Sequence, residues 1–183
     1  MDLKSLYRSS IYFIKFIGIF CMLYFGTKGV IGLTVPDGYY SAFVTNYLDY
    51  PGLLRSSLLK GTRLFVWVFG YEAYLKDVYR IYFVNGKGVK LVYGCLGYGL
   101  FSFWIAFILA NNGRILKKVI WILSGCFFIW FINVIRISLV LISNNRNWDI
   151  KITLQQHTIF NITVYLFIFL MIWLFQRSEN SSV

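Results

Sequence analysis

A chain of 183 residues that is 58% hydrophobic and 21% aromatic, with only 14% charged residues, is too apolar for an ordinary soluble domain, where about a quarter of residues are charged. Its formal charge of +11 does not make it a nucleic-acid binder, because no basic stretch is interleaved with aromatics as an RNA-binding sheet requires. Lysines and arginines beside apolar runs read instead as anchors at anionic lipid surfaces, and the composition is that of an integral membrane protein.

The first apolar run, 11–33, exceeds the roughly 18 residues that mark a membrane span. It contains Lys15 and Lys28 and lacks a small-x-small cleavage site, so it is expected to stay as a span and not to be removed as a signal peptide. Phe20 before Cys21 also gives no obvious lipoprotein acceptor. An outer segment follows over 34–93. Within it, Leu53 to Phe69 mixes apolar residues with scattered charges after Pro51-Gly52, which predicts an interfacial amphipathic helix. A reinserted fifth span is the alternative, made costly by Lys60 and Arg63. Residues 78–95, VYRIYFVNGKGVKLVYGC, predict a β-hairpin turning at Asn85-Gly86-Lys87-Gly88. Its second strand leads into Cys95, at the start of a span expected over 94–110; two more are expected over 119–143 and 157–175.

The fold expected is therefore a single all-α membrane domain over 1–183. It is a bundle of about four transmembrane helices with an outer interfacial helix and a short β-hairpin before the cysteine. Lys4 and Arg8 in the leader, Arg114, Lys117 and Lys118 in the connection 111–118, and Arg177 after the last run place these segments on the cytoplasmic side. Both termini are then inside, and the segments 34–94 and 144–156 face outward.

Three residues stand out against the apolar background. Of the three cysteines, Cys21 and Cys126 lie inside apolar runs, where cysteine acts as a small hydrophobe. Cys95 lies between glycines at the rim of its run, where a thiol can be reached and ionised. Arg136 lies inside the third span; a guanidinium in hydrocarbon costs at least about 2.5 kcal/mol, and snorkelling to the surface is the plain alternative to a functional role. Asn133, three residues earlier, shares its helical face, and that pair favours a site. His157, the only histidine, opens the fourth span with Asn161 one turn on.

On the four-span layout a thiol, a guanidinium and an imidazole meet at one membrane face. Histidine can take the thiol proton and return it to a leaving amine. Arginine stays protonated, so its role is electrostatic, on an oxyanion or a substrate carbonyl. One histidine and no helical acid pair give no zinc site, and neither a GxSxG elbow nor a histidine-orienting acid marks a serine hydrolase. No metal and no organic cofactor is expected.

The order of these residues resembles the exosortase and archaeosortase family. The matching pieces are GCLG at 94–97, NVIRI at 133–137, His157 ahead of the last run, the hairpin before the cysteine and the segment ending in VFGY, and the likeness covers about 36–175. Two positions depart from the common pattern: Leu96 stands where Ser or Ala is frequent, and Asn161 where Gly is common.

The resemblance implies a compact bacterial cysteine transpeptidase or protease in the cytoplasmic (inner) membrane with an outward-facing site. Cys95 would be the nucleophile, His157 the acid/base and Arg136 the transition-state stabiliser, with Asn133 and Asn161 in support. The implied partners are an exported protein with a C-terminal motif, transmembrane helix and basic tail, the membrane lipids, and an amine acceptor on a lipid or surface polymer; nucleic acid is not among them. The alternative is a non-enzymatic membrane scaffold or small transporter subunit, in which Arg136 and His157 line a polar path or bind an anionic lipid.

Overall fold

The computed structural model describes residues 3–35, 39–145 and 150–180, with side chains over 10–35, 39–145 and 162–178. It is mostly helical: α1 (Leu3–Thr34), α2 (Ala42–Tyr47), α3 (Tyr50–Val68), α4 (Tyr98–Ala110), α5 (Ile115–Asn145) and α6 (Ile150–Asn180), with strands β1 (Ala73–Asp77), β2 (Arg80–Phe83) and β3 (Gly88–Lys90) between α3 and α4. Two stretches, Ser10–Thr34 and Ile115–Asn145, are long and apolar enough to cross a membrane; Tyr98–Ala110 and Ile162–Ser178 are shorter apolar helices.

The helices wear their apolar side chains outward. Met22 is 78% exposed on α1, Leu123 65% on α5 and Phe169 68% on α6. Exposed apolar surface on that scale marks a lipid-facing or partner-facing face, and with such composition lipid is the fitting solvent. Hydroxyls within the helices meet the same condition by donating to their own backbone: Thr27 Oγ1 to Leu23 O at 2.7 Å and Ser138 Oγ to Val134 O at 2.8 Å.

The chain divides into two compact units. One comprises 1–48, 98–127 and 173–183. In it α1 packs along α4, with Phe16 edge-on to Phe103 at 5.4 Å and Tyr24 beside Tyr98 at 5.4 Å. The Trp104 indole donates to Trp121 O at 3.0 Å, and Phe175 is edge-on to both Phe107 and Trp121.

The second unit comprises 49–97 and 128–172. Its organiser is α3. Asp49 caps the helix by accepting from Gly52 N at 2.8 Å, and Pro51 stands in the first turn, where its missing N–H costs nothing. Pro51, Arg55, Leu58, Leu59, Thr62 and Val66 are buried at helical spacing. Leu53, Leu64, Trp67 and Val68 are exposed on the opposite side. The helix thus begins at Tyr50, three residues before the expected start, because the cap and the proline set its first turn.

Against α3 lies a three-stranded antiparallel sheet in the order β1-β2-β3, not the two-stranded hairpin expected. β2 and β3 are the expected pair, joined through Asn85 at φ +61 with Gly86 N donating to Phe83 O at 3.1 Å. The unforeseen strand is β1, whose AYLKD carries two charges and has one buried residue, Ala73. Asp77 closes its turn by accepting from Tyr79 N at 2.7 Å. Ile81 and Phe83 form the buried face of β2.

The later part of α5 receives both elements. Gly61 of α3 lets that helix come close: an added Cβ would lie 2.7 Å from Trp130 Cζ2 and 2.9 Å from Val134 Cγ2, and Trp130 donates to Ser57 Oγ at 3.2 Å. The hairpin turn is held at the end of α5, where Asn145 accepts from Lys87 N at 2.6 Å and donates to Lys87 O at 2.9 Å. Gly61→Leu should therefore cost roughly 1–3 kcal/mol by overpacking, and Asn145→Ala roughly 1–2 kcal/mol by losing the paired bonds. Both should lower the midpoint of thermal unfolding in detergent micelles, while Leu64→Ala on the exposed face leaves it within about 0.5 kcal/mol of the parent.

Candidate functional site

The cysteine was expected to open a helix. It does not. Tyr93–Cys95 form a short 3-10 turn, closed by Cys95 N donating to Val92 O at 2.9 Å and Leu96 N to Tyr93 O at 3.1 Å. Gly97 follows at φ +74, a left-handed conformation that side-chain-bearing residues avoid, and α4 starts only at Tyr98. Residues 94–97 of the expected span 94–110 thus lie outside the helix. At 1.5 Å per residue the remaining 13 residues reach about 20 Å, short of the roughly 30 Å hydrocarbon core.

The turn is seated on α5. A Cβ on Gly97 would stand 2.7 Å from Asn133 Nδ2, so the glycine backbone lies directly against that amide. Asn133 is 2% exposed and donates to Ile129 O at 2.9 Å, which orients its side chain. Leu96 is completely buried beside the half-buried Cys95. The two sequence pieces GCLG and NVIRI therefore meet in one unit through Gly97 and Asn133, and half-buried Arg136 is one turn further along the same face of α5. His157 and Asn161 belong to α6, which starts at Ile150, earlier than the expected 157; their side chains lie outside the described residues.

A second cluster was not foreseen. Arg55, on the buried stripe of α3, is only 5% exposed, and its Nε and Nη1 have no hydrogen-bond partner among the described residues. Its guanidinium carbon sits 3.9 Å from the Tyr79 ring centre and 4.8 Å from that of Tyr93, the residue that opens the cysteine turn. Leu91 N donates to Tyr79 O at 2.7 Å, tying the two tyrosine-bearing segments together. Burial pushes the Tyr79 phenol above its ordinary range, partly offset by the adjacent Arg55 cation. Taking an ion out of water costs several kcal/mol, and a desolvated aromatic contact returns about 2 kcal/mol, so the rings offset only part of that cost. Its sequence signal was available: Arg55 falls at i, i+3, i+4 and i+7 spacing with Leu58, Leu59 and Thr62.

A helical membrane protein whose cysteine-bearing turn docks on an Asn-x-x-Arg helix is the class these features define. The chain belongs to the transmembrane exosortase family, EpsH type, whose family model matches residues 4–174. No curated protein and no solved structure matches it.

Gly97→Ala tests the docking of the turn. The left-handed backbone alone should cost about 1–2 kcal/mol, and the Cβ would also displace Asn133. The alkylation rate of Cys95 in a Cys21→Ala, Cys126→Ala background should change several-fold, whereas Gly94→Ala, whose Cβ would meet no atom within 4 Å, should react like the parent.

Proposed function

We propose that this exosortase-family protein is an outward-facing cysteine transpeptidase or protease that acts on the C-terminal sorting signal of exported proteins. It uses four membrane helices, the short α4 crossing together with the turn 94–97 that precedes it, with both termini in the cytoplasm and α3 lying in the outer interface, its Lys60 and Arg63 at the headgroups and Trp67 at the lipid boundary. The observation that carries the reading is the seating of the cysteine turn on Asn133, one helical turn from Arg136. Family membership supplies the reaction class.

In this reading His157 accepts the proton of Cys95 Sγ as the sulfur attacks the carbonyl carbon of the scissile peptide. A C–S bond forms and the carbonyl π pair moves to oxygen. Arg136 stabilises that oxyanion with charge that needs no reorganisation. Collapse of the intermediate breaks the C–N bond, and the departing amine takes the proton from His157. What remains is a thioester on Cys95. Water resolves it by hydrolysis, and an amine on a lipid or surface polymer resolves it by transfer; in both cases His157 takes the incoming proton and Sγ leaves as thiolate. Enzyme and substrate share the bilayer, so the search is confined to two dimensions.

The assay is release of the C-terminal helix from a co-expressed exported protein bearing such a signal. Cys95→Ser and Cys95→Ala should abolish it with membrane insertion intact. His157→Ala should lower it about 10²–10⁴-fold, the usual range for a general acid/base. Arg136→Lys should lower it about 10²–10³-fold, as for loss of an oxyanion donor. Cleavage that persists in Cys95→Ala would sink the proposal and favour the scaffold reading. A membrane-impermeant maleimide should label Cys95 in intact cells from which any outer membrane has been stripped; protection from outside with labelling only after lysis would reverse the orientation.

A further inference from the structure

Arg55 poses a question that the proposed reaction does not answer. An apolar side chain of similar volume at a buried ionic position is often as stable or more so, so a guanidinium with two idle nitrogens is a poor choice for packing alone. Among the described residues no carboxylate pairs with it. Its contacts with Tyr79 and Tyr93 are their ring faces, which attract a cation through their quadrupoles, and a hydrogen bond to the Tyr79 side chain; neither ring carries a charge. The phenol that it touches, Tyr79, is driven toward its neutral form by burial. A permanent positive charge is thus held in a desolvated place, stacked on the residue that opens the cysteine turn.

We propose that Arg55 is a positioning residue of the same site: with Tyr79 and Tyr93 it clamps the turn that ends in Cys95, and it holds there the positive charge that the anion formed at Cys95 requires. This rests on the reading of Cys95 as the nucleophile. The clamp has three anchor points. Arg55 comes from the core stripe of α3, Tyr79 from the β1–β2 turn and Tyr93 from the cysteine turn, and Gly97 against Asn133 holds the far end. From the 4.8 Å ring contact and two residues of chain at about 3.8 Å each, the cation lies on the order of 10 Å from the thiol. At an effective dielectric of about 20, a unit charge at that distance favours the approach of an anionic reagent over a neutral one by roughly tenfold. Arg136 acts on the substrate oxyanion; Arg55 acts on the turn and on the sulfur. Preorganised charge of this kind needs no rearrangement when the anion appears.

The test compares two alkylating reagents of similar size on the full-length protein in detergent micelles, in the Cys21→Ala, Cys126→Ala background. Iodoacetate is anionic and iodoacetamide neutral, so the ratio of their rates reads local positive charge and is insensitive to overall exposure. Arg136→Met is included so that the second cation does not contribute. With Arg55 present, the ratio at Cys95 should exceed that of glutathione about tenfold. It should fall to the glutathione value in Arg55→Met and persist in Arg55→Lys, which keeps the charge but loses the planar stack. In the cleavage assay, Arg55→Lys with Arg136 intact should lower kcat and leave KM unchanged. A ratio already at the glutathione value with Arg55 in place overturns the proposal even if Arg55→Met does not fold, as does a ratio that ignores Arg55→Met. A rise in KM with kcat held would overturn the positioning role by assigning Arg55 to substrate binding. Cys95→Ala decides the parent reading independently: an enzyme that depends on Cys95, yet has a reagent ratio indifferent to Arg55, overturns only the present inference.

Discussion

The close approach of the Gly97 backbone to the buried amide of Asn133 is the constraint on which the candidate site depends. A side chain at residue 97 would fill the space that the amide occupies, and the left-handed φ of +74 would strain it as well. Because the chain must turn there, the helix that follows cannot extend back to the cysteine. Cys95 consequently sits on a short turn between a sheet and a helix, half-buried, instead of within the first turn of α4. The sulfur is therefore outside the first turn of α4, and charge beside it comes from side chains. Arg136, one turn along α5 from Asn133, and Arg55, stacked on the cysteine turn, are the cations placed to supply it.

Lipid as solvent shapes the rest. Side chains that a soluble protein would bury are displayed here, and serine and threonine hydroxyls turn inward on their own carbonyls. Polar groups that do meet across elements of the second unit form specific ties. Asn145 grips both backbone groups of Lys87, and Trp130 reaches Ser57. Each links α5 to a segment that precedes the cysteine, so the sheet, α3 and the turn share one support. Among the described residues the buried Nε and Nη1 of Arg55 stay unpaired, which is the reason to look for its purpose in chemistry and not in stability.

Much of this was legible from residue order. The apolar runs located α1, α5 and α6, and Asn85-Gly86 located the β2–β3 turn, because hydrophobic periodicity and left-handed turn residues are local properties. β1 was not legible: AYLKD is short and charged, and it becomes a strand only because β2 offers an edge and α3 a surface. Helix ends were displaced for a similar reason. Asp49 and Pro51 moved the start of α3 to Tyr50, and Gly97 delayed α4 to Tyr98. Arg55 was visible as a charge on an otherwise apolar stripe, but its partners, Tyr79 and Tyr93, are 24 and 38 residues away in the chain.

The sequence by itself determined the membrane class, the family and which side chains are chemically suited to a cysteine reaction, since composition, residue type and motif spacing do not depend on the path of the chain. Only the tertiary structure decided which of those side chains stand together within the described residues. The seating of GCLG on NVIRI and the stacking of Arg55 on the cysteine turn are contacts between distant segments. They arise from shape, where a missing Cβ or a planar ring lets two backbones approach, and that complementarity exists only once the segments have been folded against each other.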